Sequence, residues 1–237
     1  MLCKFADFFV EINPIYDYTK KMIKFFETDE TPTDDIITLG EKHCNDDYIK
    51  YNELHPEVPV DEAEHIYLAT EFFAKILKFN AIMLHSSAVK YGGKCYLFSA
   101  DCGVGKSTHT SLWEEVYGDK VEIINDDKPI IRLVNNKLMV YGSPFAGGTM
   151  KFKDDSGELE AIVFLVRSED NSIEELSKQK AFKFLFKETM RRIGKKQMNN
   201  SLNMIDKILE NCRFYILRCN MDKSSAILSH DTIVKED

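Results

Sequence analysis

This chain predicts an α/β fold built on a mixed central sheet, and three observations carry that reading. Short apolar runs alternate with segments of helical periodicity. Two pairs of runs meet at two-residue turns, Gly92-Gly93 and Asn135-Asn136, so antiparallel hairpins stand beside the strand–helix units. One apolar run passes through a Gly-containing loop straight into a helix-like segment, "CYLFSADCGVGKSTHTSLW", residues 95–113.

Taken in order, "KFADFFVEI" reads as one strand, and Pro14 opens a helix through "YDYTKKMIKFF". "ETDETPTDD" is acidic and turn-rich, a surface loop. Over 60–79, Ala63, Ile66, Tyr67, Thr70, Phe73, Ala74 and Leu77 recur at helical spacing. Asp61 and Glu62 sit in the first turn of that helix and Lys75 and Lys78 near its end, where the dipole favours each sign. "AIMLHSSAVKYGGKCYLFSA" reads as two strands joined at the Gly pair. Beyond the loop and its helix, "VEIIN" is a buried strand stopping at Asp126-Asp127, and "PIIRLVNNKLMVYG" a hairpin. A strand "LEAIVFLV" and two amphipathic helices, "KQKAFKFLFKETM" and "MNNSLNMIDKILENC", follow. In the second of these, Leu202, Ile205 and Leu209 lie at core spacing. "RFYILRC" is a last strand before a short helix from Asp222. No linker or repeat divides residues 1–237, which read as a single domain.

Composition narrows the partners. Of 237 residues, 44% are hydrophobic and 30% charged, an ordinary soluble-globular balance. With 31 basic against 39 acidic side chains the net charge is -8, which argues against nucleic-acid backbone as a partner. An anionic ligand would need a site of locally positive potential. Six scattered cysteines form no CxxC pair, so free thiols in a reducing cytoplasm are expected rather than a zinc site or a disulfide scaffold. No signal-peptide pattern opens the chain, and no apolar run approaches the roughly 20 residues of a membrane span. A cytoplasmic protein without membrane partners is the expectation.

The loop Ala100–Ser107 fits A-x-x-x-x-G-K-S, a phosphate-binding pattern with alanine in place of its first glycine. Amides of Asp101, Cys102, Gly103, Val104, Gly105, Lys106, Ser107 and Thr108 would cradle phosphates, helped by the dipole of the following helix. Lys106 would reach the β- and γ-phosphates, and the Ser107 hydroxyl would bind Mg²⁺. Cys102 reads as a small tolerated residue rather than a redox switch. Asp126 and Asp127 should emerge at the carboxyl edge of the sheet, beside the loop. One carboxylate there can hold Mg²⁺ and the other accept a proton from an attacking hydroxyl, with adjacency leaving open which does which. His85, ending "AIMLH", can pair with one of them, whereas His109 reads as a helix-face residue. Arg191-Arg192 and Lys195-Lys196 in "MRRIGKKQ" read as a solvated connection, and Arg132, Arg167 and Arg218 as weaker phosphate candidates.

Together "LHSSAV", "SADCGVGKST" and "IINDDKPIIRL" resemble the HPr kinase family, whose catalytic domain is related to phosphoenolpyruvate carboxykinase. "VYGSPFAGG", residues 140–148, also resembles a segment of small HPr-kinase-like proteins, some linked to ribosomal-peptide modification. The resemblance implies an HPr-kinase-like P-loop domain, with residues 1–80 as a divergent N-terminal subregion. It also implies an ATP- and Mg²⁺-dependent kinase acting on a serine-type hydroxyl of a peptide, small protein or small metabolite. His85 and Asp126 would then form the acid–base pair, Asp127 and Ser107 would bind Mg²⁺, and Lys106 would steady the transferring phosphate. The family's kinases assemble, which adds a homo-oligomer to the partners. The chain departs from the pattern in its short N-terminal region and in lacking the "RGLG" signature. A nucleotide hydrolase or switch, or a nucleotide-binding module without turnover, are the competing readings; no N-K-x-D segment supports a GTPase.

Overall fold

The computed structural model describes residues 1–33, 35–147, 150–189 and 193–235. Gly148, Arg191 and Arg192, singled out above, lie outside the described residues.

The chain opens with β1 (Leu2–Phe5) and β2 (Phe8–Ile12), an antiparallel hairpin rather than one strand. Ala6 and Asp7 make its turn at φ 52° and 56°, a left-handed pair that the apolar spelling "FADFF" conceals. After α1 (Asp17–Lys24), β3 (Ile37–Leu39) adds parallel to β2, and α2 (Asn45–Leu54) leads into α3 (Val60–Ile76). The α3 helix falls where its periodicity predicts, but its buried stripe runs through His65, Leu68, Ala69, Phe72, Phe73 and Ile76. Ile66 and Thr70, expected inside, are exposed. Apolar residues ring α3 on more than one side, so pattern alone does not select the buried face.

The large sheet begins with β4 (Ala81–Met83), β5 (Ser86–Tyr91) and β6 (Lys94–Ser99). After α4 (Lys106–Tyr117) come β7 (Val121–Asp127), β8 (Ile130–Val134), β9 (Lys137–Tyr141) and β10 (Ser156–Arg167). The chain closes with β11 (Ser172–Glu175), α5 (Lys178–Glu188), α6 (Lys195–Asn211), β12 (Arg213–Cys219) and α7 (Lys223–Ile233). Its strand order is β4-β8-β9-β10-β6-β5-β7, and β12 joins the far half of β10 with β11 beyond it. Because β10 pairs with β9 at Ser156–Glu158 and with β12 from Ala161 onward, the sheet divides into two wings along one strand. β6 runs parallel to β10, and β5 is antiparallel to both β6 and β7. This is the mixed α/β architecture expected.

Helices α5 and α6 cover one face through Ala181, Leu185, Met204, Ile205 and Ile208, and α4 and α7 the other around the fully buried Trp113. On α6 the partly buried Leu202 and Leu209 flank the deeper residues. Phe5, Phe72 and Ile76 of the N-terminal region share a core with Ala81, Ile130 and Tyr141 of the large sheet. A buried phenylalanine stabilises by about 1.5–3 kcal/mol, so this shared core ties the small sheet to the large one.

Candidate functional site

Strand register builds the site. β6 and β7 both run antiparallel to β5, so they end at the same sheet edge. Ser86, which opens β5, faces Ser99 on one side and Asp127 on the other. His85 immediately precedes it, between the loop that follows β6 and the acids that end β7.

In the loop, Gly103 and Gly105 sit at φ 75° and 126°, conformations that side-chain-bearing residues rarely adopt. The Val104 amide closes a turn onto the Asp101 carbonyl (3.2 Å), and α4 starts at Lys106. Lys106 is buried, with Nζ 2.9 Å from His85 Nε2 and donating to the Ala100 carbonyl at 3.1 Å. Asp101, Cys102 and Thr108 are exposed, and Lys187 neutralises Asp101. That pairing draws the Asp101 carboxyl below its ordinary range.

The two acids separate because successive strand residues turn to opposite sides. Asp126, paired in register with Ser87, faces α4 and accepts a hydrogen bond from the Ser107 hydroxyl at 3.0 Å. The Ser87 hydroxyl itself meets Thr110 of α4 at 3.0 Å. Asp127 lies instead beside His85, with Oδ1 3.1 Å from Nε2, and its other oxygen meets Lys128. The pairing expected from the resemblance, His85 with Asp126 and Ser107 with Asp127, is therefore reversed, and the register of β5 against β7 is the physical reason. Asp127 also carries φ 125°, a strained value for a non-glycine residue. Gly147 lies against it: a Cβ there would stand 3.0 Å from the Asp127 Cβ.

Glu188 completes the cluster and has no signature in the sequence. Its carboxylate lies 2.8 Å from His85 Nδ1 and its carbonyl accepts the His85 amide at 2.9 Å. A buried carboxylate at the last residue of a helix opposes the dipole, a cost that the imidazole offsets. Hydrogen bonds to Asp127 and then Glu188 raise the pKa of His85 above its ordinary value. Burial works against the Asp127 charge, but the His85 hydrogen bond and the Lys128 ammonium outweigh it and hold this carboxyl far below the usual range.

Arg167, a weaker candidate by sequence, lies at the loop: Nε donates to the Val104 carbonyl at 3.2 Å and Nη2 to the Gly103 carbonyl. It borders a cavity of about 380 Å³ that runs from Gly103 and Thr108 to Cys219 and Asn220. Arg132 instead caps the β1–β2 turn through the Ala6 and Asp7 carbonyls, and Arg218 pairs with the exposed Glu174. His109 is a core residue rather than a helix-face one, against Phe98 and 3.1 Å from the Ser229 hydroxyl; burial pushes its pKa down to about 4. All six cysteines are free. No described helix is long and apolar enough to cross a membrane.

Among the described residues, no group of three or more His, Cys, Asp or Glu side chains is arranged to hold a metal ion. The Ser107 hydroxyl and Asp126 carboxylate form a two-oxygen set, which suits Mg²⁺, an ion that keeps several waters and shares phosphate oxygens. Lys128 pairs with Asp127 and Lys187 with Asp101, while Lys106 and Arg167 lie on the imidazole and the loop carbonyls, so a triphosphate entering here brings charge that a divalent cation would balance.

No protein-family model matches the chain, and no curated protein matches it in sequence. Among solved structures, the Hpr(Ser) kinase/phosphatase from Coxiella burnetii aligns at 10% identity with a TM-score of 0.36, covering 63% of this chain and 95% of that one. A likeness at that level is too low for a fold or an activity to be inferred from it.

Proposed function

We propose that this protein is an ATP-dependent phosphotransferase whose acceptor is an alcohol hydroxyl. The observation that carries the reading is the meeting of two pairs at one sheet edge: Ser107 with Asp126 at 3.0 Å and His85 with Asp127 at 3.1 Å, with Lys106 against the imidazole. Phosphates would rest on the loop amides against Lys106, and the nucleoside would extend toward the cavity beside Arg167. Ser107 and Asp126 would hold Mg²⁺, which when bound neutralises phosphate charge.

Transfer forms a bond from the acceptor oxygen to the γ-phosphorus as the bond to ADP breaks, and the hydroxyl proton passes to the Asp127 carboxylate. A carboxylate of low proton affinity suffices, because in a loose transition state the proton leaves late. His85, tethered by Glu188, orients Asp127 and spreads its charge. Lys106, within reach of the same imidazole, steadies the transferring group.

Incubation with γ-labelled ATP, Mg²⁺ and a panel of hydroxyl compounds and serine peptides tests this. Labelled acceptor is expected with the wild type and not with Lys106→Met or Asp127→Asn. Label released only as inorganic phosphate would make the protein a hydrolase, and equal transfer by Asp127→Asn would remove the role given to that residue.

A further inference from the structure

Asp127, but no residue of the loop, also lines a second cavity of about 350 Å³, at the lower end of the range of small-ligand pockets. Its described walls are mostly aromatic and aliphatic: Tyr18 from α1, Ile66, Ala69 and Phe73 from α3, Met83 from β4, and Phe145. Asp127 is part of the same wall, so one carboxylate is shared between the cluster at the phosphate loop and an apolar chamber.

Among the polar residues of that lining, which include Glu62, Asp127 and Lys128, His65 is the most deeply buried. It is 6% exposed, and neither ring nitrogen makes a hydrogen bond of normal geometry with a described residue, although the Pro144 carbonyl acts on it more weakly. The Tyr18 and Phe145 rings pack against it at 5.4 and 5.1 Å, and burial keeps it neutral with a pKa pushed down to about 4. A buried imidazole so weakly bonded carries a penalty that a ligand atom would relieve. A few placed polar groups in an apolar lining are also how small-molecule pockets are built. The nucleotide does not suit this chamber, because its phosphates would face Asp127 and Glu62 with Lys128 the one cation among the described lining residues.

We propose that this chamber, walled by α1 and α3, receives a bulky apolar group on the phosphoryl acceptor and so sets the acceptor's hydroxyl against Asp127. The inference rests on the phosphotransferase reading and names its substrate class: an alcohol carrying an aromatic or branched aliphatic group close to the hydroxyl, with a polar atom for His65. The N-terminal region thereby supplies acceptor choice, and the phosphate loop supplies the chemistry.

Two matched pairs of probes test it: phenylalaninol against ethanolamine, and acetyl-Ser-Phe-amide against acetyl-Ser-Gly-amide. Binding is read by calorimetry and transfer from γ-labelled ATP. The aromatic member of at least one pair is expected to bind and react at least tenfold better, and which pair does so tells a free small alcohol from a peptide. Ala69→Phe fills the chamber, and Thr70→Trp narrows its mouth from an exposed position that does not endanger folding. Each should erase the preference while leaving affinity for a fluorescent ATP analogue unchanged. Transfer that ignores the apolar group, or a preference that survives both substitutions, overturns the inference and leaves the phosphotransferase standing. Binding of the aromatic probes that both substitutions abolish, without transfer to any acceptor, upholds the chamber and overturns the phosphotransferase. Absence of both binding and transfer overturns this inference.

Discussion

His85 and Asp127 face each other across 3.1 Å, Nε2 to Oδ1, while Lys106 Nζ lies 2.9 Å from the same ring nitrogen. Nε2 cannot donate to the carboxylate and accept from the ammonium at once. With Nδ1–H directed at Glu188, the imidazolium binds Asp127 and the neutral ring binds Lys106. On the proposed reading, the proton on His85 would decide whether Lys106 is held back or freed toward a phosphate.

This makes Glu188 measurable. Glu188→Gln weakens the hydrogen bond that raises the pKa of His85, so the His85 titration midpoint should fall, as read from the ring resonances by NMR. The sign for stability follows: the contribution of His85 is full below its unfolded value, near 6.5, and is lost as pH rises through the higher folded value. A midpoint unchanged in Glu188→Gln would remove Glu188 from the site.

The roles proposed for the two acids predict different phenotypes. Asp127→Asn should lower transfer by about 10²–10⁴-fold with nucleotide affinity nearly constant. Asp126→Asn and Ser107→Ala should instead raise the Mg²⁺ concentration needed for half-maximal binding of ATP. Titrating Mg²⁺ at fixed nucleotide separates the cases, and identical Mg²⁺ curves for Asp126→Asn and wild type would sink the assignment.

Gly147→Ala tests the same carboxylate from behind. Its methyl would crowd the Asp127 side chain, the nearest contact being 3.0 Å, and tilt it away from His85. Transfer should fall about tenfold or more, roughly 1.4 kcal/mol in the barrier, with thermal stability changed little. A full rate would show that the position of Asp127 tolerates such a shift.

Two buried histidines set the acid limit. Burial lowers His65 and His109 from 6.5 to about 4, so the unfolded chain binds more protons between those values and stability falls as pH drops through that window. Each contributes on the order of 3 kcal/mol by pH 4. His109→Gln keeps a donor for Ser229 but does not titrate, so it should flatten the dependence of the urea midpoint between pH 7 and 4.5 by about half. An unaltered slope would place the acid sensitivity elsewhere.

Much of this was legible in the chain. The hairpins at Gly92-Gly93 and Asn135-Asn136 form where expected because both residues of each turn tolerate positive φ. The Ala6-Asp7 turn is hidden inside an apolar run, where neither residue announces that conformation. The glycine-containing loop, His85 and the two acids were visible as local patterns, and the sheet edge brings them together. The partition of Asp126 from Asp127 was not visible, because it depends on which residue of β7 lies opposite which residue of β5. Glu188 reaches the site from a distant segment that no motif marks, whereas Gly147 lies within the quoted "VYGSPFAGG" and Arg167 among the weaker candidates, neither carrying a sign of its place beside the loop or Asp127.

The hairpin of β5 and β6 also separates two kinds of mutational tolerance. Extra residues at Gly92-Gly93 would lengthen a turn on the opposite rim and leave the chemistry alone. A single insertion between His85 and Ala88 would shift β5 by one step against both neighbours, exchanging which acid meets the imidazole. Six residues of β5 thus act as the spacer that keeps the two halves of the site in phase.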